Sequence, residues 1–298
     1  LKTSSLPFTA GIRYMLLSTL SFAVMNVFIK KVSNIPAMEI VFFRCLVSMV
    51  LCFVIIFREQ ADWKGSNRKL LLARGIFGTI ALYTFFVTLH NIPLGTAVTI
   101  QYLSPVFTTI IAIFLLKEPV KPLQWVFFII SFAGVLIIKG FDSGISLSML
   151  LIGITSALAS GVAYNMVRSL KEKEHTMVVV LHFQLIGAIV GFAFTLFNWK
   201  TPTPMEWFYL LMIGVCTQLG QVNLTKALQL EKIANVSIFN YLGILYALGF
   251  GIVLFGEHYQ GLTLWGIALV LAGVLLNYAY QRSQNKLIAE EELTGIEE

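Results

Sequence analysis

Charge is what this 298-residue chain has least of. Asp, Glu, Lys and Arg make up 12% of it, against about a quarter in ordinary soluble domains. So little charge leaves no polar coat for a water-soluble surface. None of the 15 Asp and Glu falls in the middle of an apolar run, so an obvious buried acid for proton or sodium coupling is missing. Cysteine is nearly absent too. Cys45, Cys52 and Cys216 all lie inside apolar runs, with no CxxC and only four scattered His, which argues against a disulfide framework and a zinc site. There is no P-loop, no GxGxxG after a strand and no plausible nucleophile–base pair. An enzyme is not expected, nor any cofactor or metal.

What the chain does have is long hydrophobic runs. Apolar residues make up 57%, and mean hydropathy is +0.83. Ten runs reach the length of about 20 residues that a helix needs to cross a bilayer core. They lie near 12–31, 37–57, 69–89, 94–116, 122–140, 147–169, 177–197, 206–228, 233–255 and 261–281. The runs are continuous rather than alternating, which argues for helices over the strands of a barrel. Short connections follow, many marked by proline: Pro36, Pro93, Pro119, Pro122, Pro202 and Pro204. The fold class predicted is an all-α membrane protein of ten transmembrane helices with no soluble domain. Any binding must then occur inside the bundle.

Cations set the orientation. With the N-terminus cytoplasmic, 15 of the 21 Lys and Arg fall in inside segments, Arg74 counted among them, while Lys30, Lys31, Lys139 and Lys200 fall outside. Arg44 and Lys226 remain within spans. The excess of inside cations predicts cytoplasmic N- and C-termini. The net charge of +6 is explained by loops facing anionic lipid, with no nucleic acid needed. The segment 282–298, rich in Glu, reads as an acidic cytoplasmic tail without fixed structure.

The second half repeats the first at an offset of 139 residues. Gln101-Tyr102-Leu103 falls on Asn240-Tyr241-Leu242, Glu118 on Glu257 and Gly134 on Gly273; Ser21 falls on Ser160, Asn26 on Asn165 and Gly75 on Gly214. Five spans per copy, an odd number, place the copies upside down relative to each other, an arrangement typical of transporters. The expected units are 12–140 and 147–281.

The motif residues make a family resemblance specific. Leu103-Ser-Pro105 leads to Phe114-Leu-Leu-Lys-Glu118 and then Gly134; Tyr241-Leu-Gly243 leads to Leu254-Phe-Gly-Glu257, then Gly266 and Gly273. This resembles the drug/metabolite transporter superfamily, and within it the EamA-type ten-helix carriers, over nearly all of 12–281. One departure is Ile244 in place of Pro105, which predicts a straighter ninth span than fourth. The resemblance implies alternating access around a cavity lined by spans 1, 3, 4, 6, 8 and 9. It is weak on cargo, because such carriers move amino acids, drugs, nucleotide sugars and phosphorylated compounds.

Polar residues inside the spans are the remaining clue, since each needs a partner or a cavity. Arg44 is either half of a structural ion pair with Glu39 or a clamp for a carboxylate or phosphate. Its repeat mate is read as Gln184, with His182 matching Phe42. Lys226 and Asn223, three apart, share a face; Lys226 either snorkels to the surface or meets an anion in the cavity. The pairs Asn26 and Asn165, Gln101 and Asn240, and Tyr102 and Tyr241 are equivalent by repeat, and serve either as cavity lining or as interhelical hydrogen bonds. Tyr83 is a candidate aromatic wall. His182, the one candidate coupling group, equally reads as a packing residue.

The function expected is a secondary transporter of small organic metabolites, leaning to anions, working as exchanger or facilitator in a bacterial-type inner (plasma) membrane. An exporter of amino acids or other zwitterionic or neutral compounds is the alternative. A membrane receptor or scaffold without transport is the alternative of another class. The expected partners are the small-molecule substrate and the lipid bilayer; a homodimer is left open.

Overall fold

The computed structural model describes residues 10–60, 62–115, 121–141, 145–170, 173–230, 239 and 241–294. Among these, eleven helices run in chain order: α1 (Ala10–Lys31), α2 (Ala37–Arg58), α3 (Arg68–Asn91), α4 (Leu94–Gln101), α5 (Ser104–Leu115), α6 (Pro122–Phe141), α7 (Leu147–Leu170), α8 (Thr176–Thr195), α9 (Pro204–Leu230), α10 (Leu242–Phe255) and α11 (Gly261–Thr294). Eight stretches are long and apolar enough to cross a membrane: α1, α2, α3, α4 with α5, α6 to Lys139, α7, α8 and the first part of α11 to Gln281. To these the bundle adds the 27-residue α9 and the shorter apolar α10. No strand occurs among the described residues.

Polar contacts between the connections sort the helix ends into two groups. At one end Lys30 reaches Ile92 and Glu257, and Lys200 reaches Asn34 and Glu39. At the other, Glu174 accepts from the backbone of Ser66 and Asn67, and Gln124 pairs with Asn277. The end at which α1 begins is called the near end below, and the opposite one the far end.

The packing obeys the repeat. α1 packs on α9 as α7 packs on α3; α2 meets α9 as α8 meets α3; α1 meets α10 as α7 meets α4 and α5. Three pairs, α2 with α8, α4 with α10 and α6 with α11, are their own mates and mark the pseudo-twofold axis. Close approaches repeat in register. Gly75 sits under Ile186 and Gly214 under Val47, two contacts related by the same 139-residue offset. On α6 and α11, a Cβ at Gly134 would lie 2.6 Å from the Gly266 carbonyl, and one at Gly273 would lie 2.6 Å from the Phe127 carbonyl. Only glycine allows these backbones to touch, which is how helices associate where no hydrophobic gain from water drives them.

Two expectations change. The span 94–116 is broken: α4 ends at Gln101, and the chain turns through Tyr102 and Leu103 before α5. Pro105 fits there because its missing N–H falls in a first helical turn. At the equivalent place in the second half Tyr241 is in a turn just before α10, without a proline. Residues 231–238 and 240, including Asn240, lie outside the described residues. The tail is the other change: α11 continues to Thr294, as the Ala-, Glu-, Leu- and Lys-rich sequence there favours.

Candidate functional site

Two guanidinium groups converge at mid-bundle. Arg44, two turns into α2, is buried; its Nε donates to Thr217 Oγ1 on α9 at 3.1 Å and its Nη1 to Gln184 Oε1 on α8 at 3.4 Å. Its guanidinium carbon lies 5.6 Å from the centroid of Phe183. Arg74, on α3, comes from the near end and lies over the same ring at 4.3 Å, within electrostatic reach of Arg44 and Tyr164. Gly78, one turn along α3, makes room for it: a Cβ there would run into both the Arg74 side chain and Phe183. Neither arginine pairs with a carboxylate among the described residues. The donors there are under-used, since Arg74 Nε and Gln184 Nε2 are buried without partners.

The expected Glu39–Arg44 ion pair does not form. Five residues along a helix is about 140° of rotation, and the side chains point apart. Glu39 is fully buried, accepts from the Lys200 backbone N–H at 3.1 Å through Oε2, and leaves Oε1 unpartnered. The repeat register also needs correction. Because Val47 and Ile186 are equivalents, the mate of Arg44 is Phe183 and that of Phe42 is Leu181. Gln184 is instead a direct partner of Arg44. Thr217 on Arg44 in one half is mirrored by Gly78 on Phe183 in the other.

The remaining candidates fall into separate places. His182, half-buried, hydrogen-bonds through Nδ1 with the Val178 carbonyl at 2.9 Å within its own helix. Asn165 is buried and donates to the carbonyls of Thr108 and Gly161 at 2.9 and 3.0 Å; its Oδ1, like that of its mate Asn26, has no partner. Gln101 bridges α4 to α7, donating to Ser160 Oγ and accepting from Ser156 Oγ, at 2.8 and 2.7 Å. Tyr102 and Tyr241 meet on the pseudo-axis with ring centroids 5.5 Å apart. Tyr83 lines a cavity of about 390 Å³ at the far end, together with Glu39 and His90. Asn223 donates to its own helix at Leu219, and Lys226 is exposed with its ammonium over the Tyr14 ring at 5.5 Å. Lys226 and Arg44 are therefore not brought together. Reading by sequence missed Arg74, Phe183 and Thr217. Arg74 carried a signal: a cation inside an apolar run, followed by Gly75 and Gly78.

The two ends of this region differ. Tyr164 shares a helical stripe with buried Ala157, seven residues earlier, yet is 49% exposed, while its mate Met25 is 5% exposed. One turn on, Arg168 is exposed and its mate Ile29 fully buried. At these repeat-equivalent positions the side chains are exposed towards the near end and buried towards the far end.

A helical bundle of two equivalent halves, its polar groups gathered inside and its surface apolar, is a polytopic membrane carrier, not an enzyme. The chain belongs to the EamA-like transporter family, whose model matches it twice, over residues 9–140 and 147–279. It is 28% identical over 272 residues to the pseudopaline exporter CntI of Pseudomonas aeruginosa, covering 90% of this chain and 96% of that one. It is 28% identical over 295 residues to human solute carrier family 35 member G1, covering 92% and 81%. It is 25% identical over 285 residues to the S-adenosylmethionine uptake transporter of Rickettsia bellii, covering 94% and 98%. A solved crystal structure superposes with a TM-score of 0.64 over 92% of this chain and 98% of that one; at 15% identity this shows a shared fold.

Proposed function

We propose that the protein is a secondary transporter of small organic anions, working by alternating access as an exchanger or facilitator in a bacterial-type inner (plasma) membrane. The observation that carries this reading is the pair Arg44 and Arg74 over Phe183, one cation buried and the other half-buried, without an acid partner among the described residues. A charge held inside a bundle without a counter-ion is costly, and a carboxylate or phosphate arriving there offsets that cost through bidentate bonds. The unpaired amide donor of Gln184 adds to the same preference. In this reading ten spans form two inverted five-helix repeats, with both termini cytoplasmic and the near end facing the cytoplasm. α3 with α4, and α9 with α10, rock in turn to open each side. Lys226 then sits at the cytoplasmic surface and plays no part in holding cargo.

One observation favours a zwitterionic cargo instead. Asn26 Oδ1 and Asn165 Oδ1 are buried acceptors without partners, suited to an ammonium group whose carboxylate lies on arginine. Similarity to an S-adenosylmethionine carrier points the same way. A thermal-shift screen of detergent-purified protein separates the two. Di- and tricarboxylates or phosphate esters raising the melting temperature of the parent but not of Arg44→Ala supports the anion reading. Stabilisation by amino acids alone overturns it.

A further inference from the structure

The far end is fastened by one carboxylate. Glu257, in the turn after α10, accepts from the Leu94 backbone N–H through both oxygens at 2.9 Å, capping the start of α4. Lys30, at the end of α1, lies 2.5 Å from Glu257 Oε1 and also donates to the Ile92 carbonyl at 2.8 Å. Tyr259 donates to Glu257 Oε2 and receives the Gly95 N–H at 3.0 Å. Three groups, the Leu94 N–H, the Lys30 ammonium and the Tyr259 hydroxyl, thus meet at one side chain. Both ion-pair partners are largely buried, at 16% and 10% exposure, where attraction is screened far less than at a surface.

The repeat supplies the comparison. At the opposite end the equivalents of Glu257 and Leu94 are Glu118 and Ile233, so the capping acid is retained in the sequence. The equivalents of Lys30 and Tyr259 are Ser169 and Val120, so the cation and the phenol are not. The burial of Met25 and Ile29 at the far end, against exposed Tyr164 and Arg168 at the near end, matches that inequality.

We propose that Lys30, Glu257 and Tyr259 form a latch that holds the carrier closed at the far end, so that its resting state presents the Arg44–Arg74 site to the near end. The latch ties the two halves together across the pseudo-axis, and opening the far end requires the Lys30–Glu257 pair to part. A pair that must break in one state and form in the other biases the equilibrium between them. Position for position, the other repeat carries Ser169 and Val120 in place of the Lys30 cation and the Tyr259 phenol. Loading from the near end is therefore the default, which rests on the transport reading but not on which cargo is carried.

The test uses two reporter thiols, Met25→Cys and Tyr164→Cys, each placed in the full-length protein with Cys45, Cys52 and Cys216 changed to Ala. A membrane-impermeant maleimide is added to right-side-out or inverted vesicles, with no substrate present. In the parent background position 164 reacts from the near side and position 25 is protected. Adding Lys30→Met should raise the rate at position 25 from the far side at least tenfold and lower that at position 164. Tyr259→Phe, which keeps the charges and the cap, should give a smaller rise and decides the matter if Lys30→Met does not survive purification. Unchanged rates at both reporters overturn the latch. Because no ligand enters, that result leaves the anion reading standing, and a failed ligand screen leaves the latch standing.

Discussion

The Arg74 guanidinium carbon lies 4.3 Å from the centroid of Phe183, the residue that the internal repeat makes equivalent to Arg44. The twofold relation between the halves is therefore broken where polarity matters most. Both cations come from the first half, Arg44 on α2 and Arg74 on α3, and the second half supplies the ring between them and the hydrogen-bond partners Thr217 and Gln184. On the proposed reading, an asymmetric site inside a symmetric frame presents one anion-binding surface to either side.

Arg74 should matter as much as Arg44, and Lys226 should not. At a ligand concentration of 100 times Kd, binding stabilises the folded state by about 2.7 kcal/mol. Arg74→Gln should abolish the melting-temperature rise that an anionic ligand gives the parent, whereas Lys226→Gln should keep it. A shift that survives in Arg74→Gln but disappears in Lys226→Gln would place the cation at the wrong helix.

Packing of α6 on α11 should tolerate no side chain at Gly134. A Cβ there meets the Gly266 carbonyl and Val270 backbone, and overfilling a tight interface costs about 1–3 kcal/mol. Gly134→Val should lower the melting temperature in detergent by several degrees. Gly249→Ala, where a Cβ has nothing within 4 Å, serves as the neutral control; equal losses at both positions would argue against the close approach.

Asn165 joins α7 to α5 by donating to the Thr108 carbonyl at 2.9 Å. Interhelical hydrogen bonds of this kind in membranes are worth about 0.6–2 kcal/mol. Asn165→Leu should reduce stability by that order, measured by thermal unfolding. In a protein that carries zwitterions it should also remove stabilisation by amino acids, which makes the variant a second probe of cargo.

At the near end, Glu174 receives the backbone N–H of Ser66 at 2.5 Å and that of Asn67, fixing the approach to α3. Asn67 itself caps α3 by accepting from Leu70 N–H at 3.3 Å. Glu174→Ala should cost about 1 kcal/mol, since two backbone donors lose a charged acceptor but regain water. Faster proteolysis in the α2–α3 connection would be its signature, and no change would show that the loop holds itself.

Much of the fold was legible because the bilayer restricts the choices. In hydrocarbon a backbone must satisfy its own hydrogen bonds, so a run of apolar residues of sufficient length reads as a helix, and Gly75, Gly134, Gly214 and Gly273 revealed the repeat by spacing alone. The break at Tyr102 was less legible, because Pro105 drew attention to itself while the turn recurs at Tyr241 without a proline. Asn165 and Gln101 were found as polar residues inside spans, but nothing in the chain said that both would be committed to neighbouring helices.

The candidate site divides the same way. Composition, the long apolar runs and the glycine spacing determined a polytopic membrane carrier built of two repeats, because those properties follow from transfer energies and helical period. Which cations meet is a matter of helix rotation and register. A single-residue difference in register separates Gln184 as the mate of Arg44 from Gln184 as its partner, and 140° of rotation separates Glu39 from Arg44. Only the packed bundle fixes those angles. That is why Arg74 rather than Lys226 faces Phe183, and why Glu257 rather than Glu39 has the lysine.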